Sequence, residues 1–546
     1  LNDQYNVEHW YRRRGALHRD IIYFTINKRV VFTGTHREPF YDFQYNWVST
    51  TREIRDRRIQ LDYELVTQAT TIEQMQDRFE MRTRLIPSNL FETQTVWGTQ
   101  PVIGQETILR AQRELEERTF QIADFAVKSI SGANLLLEAN GNVHISGALL
   151  SLGDLTILSG GNLDIRGLTV TDPDTGLPVA TQASVRALGE LRLQAGGNLL
   201  VAAFSDVQGD EIILNANQDV TLRGTIGGLE IPAAPGVEAR SATLSVRIGS
   251  GRNTLLQAEI LATSEILVHA GTNSSRSGSV TADSLAILQV TGSNGLVDIR
   301  SGKFDGRINL DQSLIFTETD AGSRVVLRAE EGRILHAMER QTADAALGLP
   351  EIFPGLIQTY RLVALADNQM TLNTRVSVAE LELTGAGDID LVNLGDLTLE
   401  DVRVANGAVR VLNLGSVWIE SVRALGDNDR NDIEIRAVPG NGGAANITVR
   451  HLSTPDRGDV LLEAQGWIRR AEAGAPAILA DRLVVLANTA AANAVELNTN
   501  VRTLSGAVVQ LGDAVFVQGV RALVVDNFVV SDGSFTLTAA GRVDLA

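Results

Sequence analysis

Residues 132–167 repeat themselves at an offset of 20. GANLLLEANGNVHISG (132–147) is followed, after four residues, by LGDLTILSGGNLDIRG (152–167). Leu135 meets Leu155, Leu137 meets Ile157, Asn142 meets Asn162, Val143 meets Leu163 and Ile145 meets Ile165. Apolar residues alternate within each half, the period of a strand with one buried face. Gly-Asn corners separate the strands. A unit of about 20 residues built from short strands and Gly/Asn corners predicts a β-solenoid, in which each coil closes its hydrogen bonds on the next. The corners are read as positions of positive φ, which Gly adopts freely and Asn tolerates.

The repeat recurs along the chain. LGELRLQAGGNLLV (188–201) matches 152–165 at an offset of 36, with TVTDPDTGLPVATQ (169–182) as an extruded loop. NLGDLTLEDVR (393–403) and NLGSVWIESVR (413–423) return to 20, and Phe535, Leu537, Gly541, Val543 and Leu545 reproduce the unit at the C-terminal end. Loops are expected near 169–182, 228–241 and 336–355.

Residues 1–104 differ. Of 27 aromatic residues, 17 lie before position 126, and no 20-residue period is visible there. Runs 20–34, 40–51 and 59–67 read as strands of a small β-rich head or joint. Residues 105–125 carry Ile108, Leu115 and Ile122 at roughly sevenfold spacing and read as a helix. The expected organisation is a β-rich region (1–104), a helix over 105–130 capping the first coil and leading into it, and a solenoid (131–546). A helix there would cover strand edges that an open solenoid end leaves unpaired.

The chain holds no Cys, which excludes disulfides and thiolate metal sites. Its formal charge is −18, of which residues 126–546 carry −17. Such a surface repels phosphate, so nucleic acid is a poor partner. No apolar run approaches the 18 or so residues of a membrane span. The 48 basic residues include only three Lys, at 28, 128 and 303.

GANLLLEANGNVHISG, LGDLTILSGGNLDIRG and LGELRLQAGGNLLVAA resemble the haemagglutinin-type repeats of filamentous haemagglutinin-like adhesins. The resemblance covers roughly 131–546. It implies an all-β, right-handed parallel β-helix, exported to the surface or surroundings of a Gram-negative bacterium, that displays or adheres. The secretion domain with which such proteins begin is not recognisable in 1–125. The last unit is an ordinary coil, so the expectation is an open C-terminal end that continues the rod or self-associates. A host or surface glycan or protein is the expected partner.

Two stretches are candidate sites. Arg457-Gly458-Asp459 spells a cell-attachment tripeptide, set against a corner Gly before a strand. Asp427, Asp429, Asn431 and Asp432 alternate oxygen ligands that suit calcium, the one cofactor considered, set against a solvated polar corner. Asp172, Asp174 and Asp206 invite the same two readings. The seven His are scattered, and no nucleophile or phosphate-loop motif appears. The expectation is a non-catalytic structural or adhesive segment. The alternative is a β-helical polysaccharide lyase or hydrolase using outward Asp164, Arg166, Arg192 and Arg223. Asn273 and Asn446 head glycan sequons.

Overall fold

The computed structural model describes residues 10–13, 16–19, 125–132, 134–171, 178–228, 242–272, 278–283, 286–336, 355–426, 430–440, 445–454, 457–474 and 477–545. The regular elements among them are all strands. The fold is a parallel β-solenoid. The chain forms two compact units, Leu1–Arg192 with Phe204–Val207 and Leu193–Ala203 with Gln208–Ala546. The strands expected at 20–34, 40–51 and 59–67, and the capping helix through 124, lie outside the described residues.

In the first unit, Trp10–Arg13 and Ala16–Arg19 form an antiparallel pair. Among the described residues parallel pairing begins with Phe125–Gly132 on Val143–Ser151, so the stretch 125–130, expected to belong to the capping helix and entry, is strand. Leu135–Ala139 lies on Leu155–Ser159 in the register that the offset of 20 predicts: Leu135 faces Leu155 and Leu137 faces Ile157. The loop near 169–182 is an antiparallel ribbon, Thr169–Thr171 against Pro178–Ala180.

In the second unit a coil is three strands. Glu211–Ala216, Val220–Leu222 and Thr225–Gly227 lie on Ser245–Ser250, Thr254–Leu256 and Glu259–Ala262. These in turn lie on Glu265–His269, Val280–Ala282 and Ile287–Val290. One inward column runs Ile212, Val246, Ile266, Val297, Val325, Leu362 and Ala379, each fully buried. Burying each large aliphatic side chain contributes roughly 2 kcal/mol, and strand alternation places the next residue outside.

Not every inward position is apolar. Thr374, Asn393 and Asn413 occupy one buried column. Asn393 Nδ2 donates to Asn413 Oδ1 at 2.9 Å. Asn393 Oδ1 accepts from Val376 N–H and Thr374 Oγ1, each at 2.8 Å. Of the stretch read as a loop near 336–355, only His336 and Gly355 lie within the described residues. His336 is fully buried and donates its N–H to Thr371 O.

The corners work differently from the sequence expectation. Among the described residues the non-glycines with positive φ are Phe204, Asn294, Asp305, Asp311 and Asn527, and the repeating corner residues Asn142, Asn162, Asn198 and Asn253 are not among them. The side chains of Asn142, Asn198 and Asn253 instead take hydrogen bonds from the following coil. Nor do the corner glycines share one reason. A Cβ on Gly161 would come within 2.5 Å of Asn142 Oδ1, so glycine is needed for close approach. Gly395, at φ +108 with open space around its Cβ position, is a true conformational glycine.

Candidate functional site

Corner side chains of one coil hold the backbone of the next. Asp396 Oδ1 accepts from Ser416 N–H at 2.8 Å, Ser416 Oγ from Asn446 N–H at 3.3 Å, and Asn446 Oδ1 from Trp467 N–H at 3.0 Å. A second ladder runs from Asn198 through Asp219, Asn253 and Ser279 to Arg307 N–H. Each step satisfies an amide that the turn would otherwise leave to water. Asn446, the described sequon residue, is thus a corner rung.

Outward charges pair within and between coils. Arg361 bridges Glu380 and Glu400. Arg410 bridges Asp388 and Asp390, both at 3.0 Å. The residues weighed as lyase or hydrolase groups join this pattern. Asp164 pairs with Arg166 at 2.6 Å and lies 3.5 Å from His144 Nδ1, and Arg192 pairs with Glu190 at 2.8 Å. Arg223 is exposed and donates its backbone N–H to Val201 O. Asp206 is buried in the first unit against Arg186.

Asp172, Asp174, Asn273, Asp427 and Asp429 lie outside the described residues. Asn431 is fully buried beneath its corner. Asp432 Oδ1 accepts from Asp459 N–H at 3.0 Å. No group of three or more metal-ligating His, Cys, Asp or Glu occurs among the described residues. In the candidate tripeptide, Gly458 is buried and a Cβ there would overlap Asn431 O. Asp459 starts the strand Asp459–Ala464, and Arg457 alone is exposed.

Register gathers a site that spacing does not show. Ile389, Val409, Ile433 and Val460 stack on four successive coils. Three residues before each stand Ala386, Asn406, Arg430 and Arg457, all exposed. With Gly387, Asp388 and Gly407 they line a recess of about 470 Å3. Asp388 is tied into the wall, where it accepts from Ala408 N–H at 2.9 Å and pairs with Arg410. The two arginines are 27 residues apart in sequence, because loops of different length enter the corner, so a search at 20 misses them.

A second polar group sits on an outward strand face. Asp298, only 6% exposed, pairs with Arg300 at 2.6 Å, and His269 faces Arg300 in the register. Burial and the Arg300 charge hold the His269 imidazole below its usual range.

No protein-family model, no curated protein and no solved structure matches the chain.

Proposed function

We propose that the chain is a structural or adhesive segment of an extracellular or cell-surface β-solenoid, an adhesin stalk or filament subunit without catalysis, as in the haemagglutinin-repeat adhesins its repeats resemble. The observation that carries this reading is the Asp396–Ser416–Asn446–Trp467 ladder, in which polar corner groups are spent on joining coils. Outward carboxylates are likewise held by arginines across coils, at Arg361, Arg410 and Arg450. Groups committed in this way stiffen a stack of coils, and each coil depends on its neighbours alone.

Pulling the full chain end to end in optical tweezers is the test. Extension should come in coil-sized steps. Release of reducing ends or unsaturated products from acidic or neutral polysaccharides would instead establish the lyase or hydrolase alternative.

A further inference from the structure

We propose that the outward strand face centred on Trp418 binds a neutral saccharide chain, built of pyranoses with equatorial hydroxyls, on its indole ring. The inference rests on reading the solenoid as adhesive, and gives that surface a ligand class.

Only two of the five Trp lie beyond residue 125, at 418 and 467. Their rings are placed differently. Arg469 lays its guanidinium over the Trp467 ring, 4.6 Å from the centroid. Trp418 is 39% exposed between buried Val417 and Ile419, and among the described residues no ring or guanidinium stacks on it. Its neighbours on the adjacent coils are Thr398 and Thr448, about 4.8 Å away along the stack. Both are too short to cover an indole. The ring is also fixed before any ligand arrives. Its Nε1–H donates to Glu420 Oε1 at 3.0 Å, Arg450 Nε pairs with Glu420 Oε2 at 3.1 Å, and Glu472 holds Arg450 at 2.6 Å. A ligand therefore meets an ordered surface, which lowers the entropy lost on binding.

The surroundings narrow the class. Glu400, Glu420 and Arg450 each stand one residue past the matched Leu399, Ile419 and Val449, a polar row beside Thr398, Trp418 and Thr448. A carboxylate has about four acceptor sites and a guanidinium five N–H donors, so each keeps hydrogen-bonding capacity after its ion pair. The ligand must bring a flat apolar face with hydroxyls at its rim. A pyranose with equatorial hydroxyls has that form, and its C–H groups are drawn to the negative face of an aromatic ring. Charge argues against an anion. Arg361 offsets Glu400 at 2.9 Å, and Arg450 is shared between Glu420 and Glu472, so no positive excess draws one to a chain of formal charge −18. A quaternary ammonium is recognised by a cage of several rings, and Trp418 stands alone. Peptide side chains anchor in pockets, whereas these residues share one face of parallel strands.

The test is calorimetric titration of the full chain with cellohexaose, and with the same hexamer oxidised to carry a carboxylate on every ring. Cellohexaose should bind, and the carboxylated hexamer about tenfold or more weaker. Trp418→Ala should weaken cellohexaose about tenfold or more, and Trp418→Phe should retain it within about threefold. Thr448→Arg, which sets a guanidinium beside the indole and leaves Trp418 in place, should block binding as well. Phe304→Ala, which removes an exposed ring elsewhere in the second unit, should change nothing. Denaturant midpoints are measured alongside, so a variant that loses its fold is told from one that loses its ligand. No heat from cellohexaose, equal affinity for the carboxylated hexamer, or folded Trp418→Ala and Thr448→Arg variants that bind like the parent would overturn the site. That failure leaves the rod standing, because stepwise extension tests it separately. Product analysis of the same samples separates the two readings. Bound but uncleaved hexamer supports both, whereas cleavage that Trp418→Ala abolishes keeps the site and ends the non-catalytic reading.

Discussion

Asn142 Oδ1 accepts the backbone N–H of Asn162 at 2.8 Å, across 20 residues of sequence. The repeat aligns these two asparagines, and the structure shows that the earlier one caps the later. Asn142→Ala should lower the first unit's stability by ~1 kcal/mol or less, since water can reach the freed amide. Asn142→Asp, which keeps the acceptor, should restore the denaturant midpoint. Gly161→Ala should cost about 1–3 kcal/mol, because its Cβ would press within 2.5 Å of the same Asn142 oxygen.

The buried column gives a larger effect for the same residue type. Asn393→Ala removes the partner of Val376 N–H and of Asn413 Oδ1, both sealed from water. An unsatisfied buried group costs about 1–3 kcal/mol, so the loss should exceed that of Asn142→Ala severalfold. Urea titrations of the two variants make the comparison, and equal losses would contradict the assigned roles.

Stability should fall as the solution is acidified from about pH 6.5 to about 4. Burial lowers the His336 imidazole from 6.5 to about 4, although a backbone hydrogen bond at Ser313 opposes the shift. In that window the unfolded chain binds the proton and the folded chain does not, so stability is present above the window and lost on descending through it. The depth is roughly 3 kcal/mol. His336→Leu should flatten most of the slope; burial also lowers His269 and His451, which supply the rest. Asp513, held below its usual range by Ser534 Oγ and N–H, acts in a separate window, its contribution disappearing as pH falls below about 4.

Two ion pairs of the first unit should separate by burial. Asp206 is almost sealed against Arg186, whereas Asp164 beside Arg166 is a quarter exposed. Arg186→Ala strands a buried carboxylate and should cost about 3 kcal/mol, while Arg166→Ala should cost under about 1 kcal/mol. Thermal melts at low and high salt should show the second loss shrinking with salt and the first persisting.

The alternation of Leu135, Leu137, Val143 and Ile145 determined by itself that these segments are strands with one buried face. Their match at 20 determined the register, because a parallel stack places like on like and buries the same row in every coil. What corner residues do was settled only by the tertiary structure. Gly and Asn suit both a left-handed turn and a close approach between coils, and one sequence position carries no sign of which. The amide that Asn142 caps belongs to another coil, so its role exists only once the coils are stacked. The same holds for Arg430 and Arg457: loops of unequal length hide their alignment in sequence, and hydrogen bonding between strands restores it. A period can be read along the chain, but a site made from several coils depends on distances across it.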